Sequence, residues 1–142
     1  MSQMPVEIVM IEDDPGHARL IEKNIRRAGV NNAIVHFESG TAALRHLFEP
    51  SIRNNGPLLV LLDLNLPDMS GTDILEKIKS DERLKHAPVV ILTTTDDQRE
   101  IQRCYALGCN VYITKPVEYE TFATAIRQLG LFLSIMQVPE QP

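Results

Sequence analysis

Short, solidly apolar runs alternate along the chain with longer stretches in which apolar residues recur every three or four positions. Five runs have strand character: Val6–Ile11, Asn32–Phe37, Leu58–Asp63, Val89–Thr93 and Val111–Thr114. The third, Leu58-Leu59-Val60-Leu61-Leu62, shows no polar alternation, as expected of a strand buried on both faces. A helical pattern follows each run. The first begins near Pro15, carries Ala18, Ile21, Ile25 and Ala28 on one face, and ends at Gly29. The second runs from Thr41 to near Phe48, and the third follows Ser70-Gly71 with Ile74, Leu75 and Ile78 inward. The fourth spans Asp97 to Leu107 and stops at Gly108. The fifth starts near Glu118 and spaces Phe122, Ala125, Ile126 and Leu129 helically.

Strict strand–helix alternation with short connections predicts an α/β fold, a doubly wound parallel sheet with helices on both faces. Five strands suit the flavodoxin-like order 2-1-3-4-5. The longer link Glu49–Pro57 is expected to be a surface loop without chemistry. The 142 residues fit one domain, with its core over about residues 6–129 and an apolar helical extension and short tail behind it.

Composition narrows the class. Net charge is −5 with 23% charged residues, which disfavours non-specific binding to nucleic acid or anionic membrane. Neither a leader-like segment nor an apolar run of about 18 residues is present, so no membrane span is expected. Cys104 and Cys109 lack metal-ligand spacing and a disulfide framework, and read as small buried thiols. These features together predict a cytoplasmic protein.

The candidate chemistry lies where the strands end. Asp63 closes the third strand, and Pro67 and Gly71 of the following Leu64-Asn65-Leu66-Pro67-Asp68-Met69-Ser70-Gly71 cannot prolong it. Open α/β sheets bind ligands at this carboxyl edge, where the first and third strands are neighbours. The first strand runs into Glu12-Asp13-Asp14, so carboxylates gather at one edge. Crowded carboxylates repel one another unless a cation is present, and oxygen-only ligands select a hard divalent ion such as Mg²⁺. Asp14, just before Pro15, is instead read as a helix N-cap. Thr93 ends the fourth strand within Thr93-Thr94-Thr95 and offers a hydroxyl to an anionic oxygen. Lys115 ends the fifth strand as a positive charge suited to phosphate, and Pro116 after it makes a cis peptide plausible.

From about Val6 to Leu129 the chain resembles the receiver domain of bacterial two-component response regulators. The resemblance rests, in order, on Glu12-Asp13, Asp63-x-x-x-Pro67 with Gly71, Thr93 and Lys115-Pro116. It implies that Asp63 is the phosphoacceptor for a histidine kinase. It implies further that Asp13, Asp63 and the backbone carbonyl of Asn65 hold Mg²⁺, with Glu12 acting through water. Thr93 and Lys115 would hold phosphoryl oxygens. Thr94 stands where many members have Ala, and Tyr112 falls at the family's aromatic switch position. Asn65 and Thr95 occupy positions that influence dephosphorylation in the family.

No DNA-binding or enzymatic domain fits in what remains after the fifth helix, so output is expected through protein contacts or phosphorelay. Leu129-Gly130-Leu131-Phe132-Leu133-Ser134-Ile135-Met136 is apolar on more than one helical face, which favours a homodimer through helix four, strand five and helix five. The Asp63-Leu-Asn-Leu-Pro turn, the Ser80–Pro88 segment and this extension resemble stand-alone receivers that partner phytochrome-type histidine kinases. Two rivals are a Mg²⁺-dependent phosphohydrolase of the haloacid-dehalogenase type and a receiver that binds partners without phosphorylation. Against the first, Asn65 stands where such enzymes need a general acid. Against the second stand the intact acid pair, Thr93 and Lys115.

Overall fold

The computed structural model describes residues 6–49, 57–116 and 118–136. Five strands, β1 (Glu7–Ile11), β2 (Ile34–Phe37), β3 (Leu58–Leu62), β4 (Val89–Thr93) and β5 (Val111–Thr114), form one parallel sheet in the order β2-β1-β3-β4-β5. Between and after them run α1 (Pro15–Arg27), α2 (Gly40–Leu47), α3 (Gly71–Ser80), α4 (Gln98–Leu107) and α5 (Tyr119–Met136). This is the expected doubly wound, flavodoxin-like architecture.

Alternation along the strands divides the core in two. Ile8, Met10, Leu59, Leu61, Val90, Leu92 and Ile113 face α1 and α5, where Ile21, Ile25 and Phe122 meet them. Val9, Ile11, Val60, Leu62, Val89 and Ile91 face α2, α3 and α4, against Leu47, Ile74, Leu75, Ile78 and Cys104. The middle strand, β3, is therefore apolar at every position, because neither of its faces sees water. Arg27 stacks over the Tyr119 ring at 3.8 Å and ties α1 to α5.

Local chemistry sets the helix ends. Asp14, Ser39, Ser70 and Asp97 cap α1 to α4, each accepting hydrogen bonds from first-turn backbone N–H groups. Gly108 stops α4 at φ +110°, with its N–H on the Tyr105 carbonyl and the Cys109 N–H on the Cys104 carbonyl.

Some boundaries differ from the sequence pattern. The strand expected from Asn32 begins at Ile34, because the Asn32 side chain is turned to the Val6 carbonyl and its own carbonyl accepts from Arg26. The Ala33 carbonyl still accepts the Ile8 N–H at 3.0 Å. The link Glu49–Pro57 lies mostly outside the described residues, as do the tail 137–142 and the apolar side chains of 129–136. No helix among the described residues is long and apolar enough to cross a membrane.

Candidate functional site

Strand register builds the site. Ile11 pairs with Leu62, Leu62 with Ile91 and Thr93 with Thr114, so the carboxyl ends of β1, β3, β4 and β5 finish side by side. The residues just past those ends are Glu12-Asp13, Asp63 and Lys115. The Asp63 N–H continues the ladder to the Ile11 carbonyl at 3.0 Å, and the Lys115 N–H reaches the Thr93 carbonyl at 2.7 Å.

Glu12, Asp13 and Asp63 each present a carboxylate oxygen, all within 4.8 Å of one another. Glu12 is 1% exposed and Asp63 5%, whereas Asp13 faces solvent. Three acids so placed, without sulfur or imidazole among them, suit a hard divalent cation.

Lys115 holds the acids together. Its side chain is 6% exposed, and its Nζ donates to Glu12 Oε1 at 2.6 Å and to Asp63 Oδ2 at 3.1 Å. Burial pushes the Glu12 carboxyl above its ordinary range, with the Asp63 charge adding to the rise. The bonds from Lys115 and the Asp14 N–H pull the other way. The Lys115–Pro116 peptide bond is cis.

The β3–α3 loop is fitted closely around Asp63. Asp63 Oδ1 accepts the Asn65 N–H at 3.1 Å, and the Asn65 amide donates to Thr93 Oγ1 at 3.3 Å and Thr94 Oγ1 at 3.5 Å. A Cβ on Gly71 would lie 2.5 Å from the Asp63 carbonyl oxygen and 2.6 Å from Leu64 Cα. Only glycine permits that approach. Thr93 is fully buried, while Thr94 is exposed.

Tyr112 stands one strand away and belongs to a different part of the surface. It is half-buried against the core beneath α4, and its hydroxyl donates to the Thr95 carbonyl at 2.7 Å. Burial and nearby acidic groups push its phenol up to about 12.

Three residues of this neighbourhood are given no role by the sequence reading. His17, on the first turn of α1, lies with Nδ1 3.0 Å from Lys115 Nζ. His36 Nε2 donates to the Glu12 carbonyl at 2.7 Å. Asp68 accepts from the backbone of Gly40 and Thr41 and from the Thr41 hydroxyl. Only His17 left a trace in the sequence, sitting three residues past the N-cap Asp14 on the turn that follows β1.

Residues 8–127 match the family described as the response regulator receiver domain. The chain belongs to that family. This places the receiver in two-component, phosphorylation-based signalling. A crystal structure of a response regulator receiver domain from Rhodospirillum rubrum is 68% identical, with a TM-score of 0.78, over 96% of this chain and 99% of that one. Response regulator Rcp1 of Synechocystis sp. is 34% identical over 116 residues, 80% of this chain and 79% of Rcp1. A Mn²⁺-bound form of Rcp1 superposes with a TM-score of 0.73 at 28% identity, over 97% of this chain and 99% of that one. The phosphorylated cyanobacterial phytochrome response regulator RcpA is 34% identical, with a TM-score of 0.76, over 96% and 99% of the two chains.

Proposed function

We propose that the receiver takes a phosphoryl group from a histidine kinase onto Asp63 and signals by the change that follows. The observation that carries this reading is Lys115 joining Glu12 and Asp63 beside the exposed Asp13. A carboxylate nucleophile, a fixed cation and room for a divalent ion are what phosphoryl transfer needs, since its catalysis is mostly positioning and charge neutralisation. An Asp63 oxygen forms a bond to phosphorus as the P–N bond of the donor phosphohistidine breaks. The electron pair stays on the imidazole, which takes a proton.

Asp13, Asp63 and the Asn65 carbonyl would hold Mg²⁺, with Glu12 acting through water. Both Glu12 oxygens already engage the protein, Oε1 with Lys115 and Oε2 with the Asp14 N–H, which suits an indirect role. A Mg²⁺ ion held there would supply positive charge against the phosphoryl oxygens. Lys115 and the Thr93 hydroxyl take phosphoryl oxygens, with Thr94 at the rim. Phosphorylation adds about 1.5 to 2 negative charges and three acceptor oxygens at Asp63. The Thr93 hydroxyl turning toward them alters the space beside Tyr112 and, with it, the surface of α4, β5 and α5.

Asn65 offers its amide to two threonines and no acid to a leaving group, which favours a switch over a phosphohydrolase. We assign the chain to the cytoplasm as a single-domain receiver that forms a homodimer through α4, β5 and α5. Its kinase is of the phytochrome type, a reading supported by the likeness to the phytochrome response regulator RcpA.

Intact-mass spectrometry after incubation with acetyl phosphate tests the central step. One labile phosphoryl adduct is expected with Mg²⁺, none with excess chelator and none in Asp63→Asn. An adduct that survives in Asp63→Asn would place the acceptor elsewhere.

A further inference from the structure

We propose that His17 is a positioning residue that aims the Lys115 ammonium at Asp63. The inference rests on the reading of Asp63 as phosphoacceptor and adds a residue to its machinery. An ammonium group has three N–H donors, and Lys115 meets three acceptors: Glu12 Oε1 at 2.6 Å, His17 Nδ1 at 3.0 Å and Asp63 Oδ2 at 3.1 Å. Two of them, Glu12 and His17, belong to the end of β1 and the start of α1. The third is the carboxylate that reacts.

This division matters for geometry. One acceptor holds the nitrogen on an arc, whereas two fix it at a point and leave the last N–H directed at Asp63. A phosphoryl oxygen arriving on Asp63 then meets a donor already in place, while Glu12 and His17 keep their bonds. Preorganised donors of this kind stabilise developing charge without reorganisation.

His17 is itself held. Its backbone N–H is bonded to Asp14 Oδ1 at 3.0 Å, which fixes the base of the side chain at the third position of α1. Accepting at Nδ1 requires the tautomer with its proton on Nε2. The ring also borders a cavity of about 240 Å³, shared with Leu20, Ile21, Lys115 and Pro116, so the ammonium has space to leave its position if the imidazole is removed.

Two substitutions separate positioning from simple filling of space. His17→Ala removes the acceptor, whereas His17→Asn restores an oxygen where Nδ1 stood. The readout is the rate of adduct formation from acetyl phosphate as Mg²⁺ is varied. His17→Ala should slow the rate at saturating Mg²⁺ by about tenfold with the Mg²⁺ midpoint unchanged, and His17→Asn should recover most of the loss. A native rate in His17→Ala, equal slowing in both variants, or a moved Mg²⁺ midpoint would each overturn the role. If the native chain forms no adduct, the phosphoacceptor reading fails, and the ¹⁵N signal of the Lys115 ammonium decides the inference. A signal protected from exchange in the native chain and His17→Asn, but broadened in His17→Ala, supports the hold. An unchanged signal in His17→Ala refutes it.

Discussion

Asp68 clasps Thr41: its carboxylate accepts the Thr41 N–H at 2.8 Å and the Thr41 hydroxyl, while its other oxygen takes the Gly40 N–H at 2.9 Å. The loop that carries Asp63 is thereby pinned to the start of α2. The Met69 side chain presses on Gly40, where a Cβ would lie 2.5 Å from Met69 Cγ. The bonds from Thr41 and Gly40 hold the Asp68 carboxyl down at about 2.

That depression has a sign in stability. A carboxyl lowered by folding stabilises the native state above its ordinary value of 3.8, and the contribution disappears as pH falls toward about 2. Urea unfolding of the native chain and Asp68→Asn across acidic pH should show a gap in midpoint that is constant above 3.8 and closes toward pH 2. A gap that does not vary with pH would mean that the carboxylate charge contributes nothing.

The phenol of Tyr112 shifts in the opposite direction. Its rise to about 12 means that the neutral form stabilises the fold below the ordinary value of 10, and that this is lost as pH climbs toward 12. Alkaline absorbance titration should contain one late tyrosine step that is missing in Tyr112→Phe. A native titration in which that step falls at the ordinary value would show that Tyr112 is not buried as described.

Gly108 closes α4 at φ +110°, and a Cβ there would meet Lys79 Cγ at 3.1 Å. Gly108→Ala should cost about 1–2 kcal/mol in denaturant unfolding, the left-handed backbone penalty for an L-residue. The same turn buries Cys104 and Cys109, whose thiols burial pushes up to about 11 and about 12. Both should resist thiol reagents at neutral pH in the native chain and react freely in urea.

Divalent cation should stabilise the fold through the acidic cluster. Mg²⁺ at ten times its dissociation constant is expected to add about 1.4 kcal/mol to unfolding stability by mass action. Asp13→Asn should lose most of that gain, because Asp13 presents one of the three clustered carboxylates. Equal stabilisation of both chains by Mg²⁺ would place the ion elsewhere.

The amino-acid sequence by itself determined the number, type and order of the elements. Burial on two faces makes β3 apolar throughout and β4 apolar up to Thr93, helical spacing marks one inward stripe, and Asp14, Gly29 and Gly108 punctuate the ends; all of these are local signals. It also located Glu12, Asp13, Asp63, Thr93 and Lys115, because each stands at or just past the end of a strand whose apolar run is unmistakable. Ladder ends were less legible: Asn32 belongs to an apolar-looking stretch but spends its side chain on the carbonyl of Val6, 26 residues away. The partners of the site residues were decided by tertiary structure alone. His17 reaches Lys115 across 98 positions, and Asp68 reaches Gly40 across 28. A single polar residue on a first turn or in a loop carries no periodicity of its own. Its role is set when parallel pairing brings four strand ends together and leaves one buried ammonium to be satisfied by three acceptors from two distant stretches of the chain.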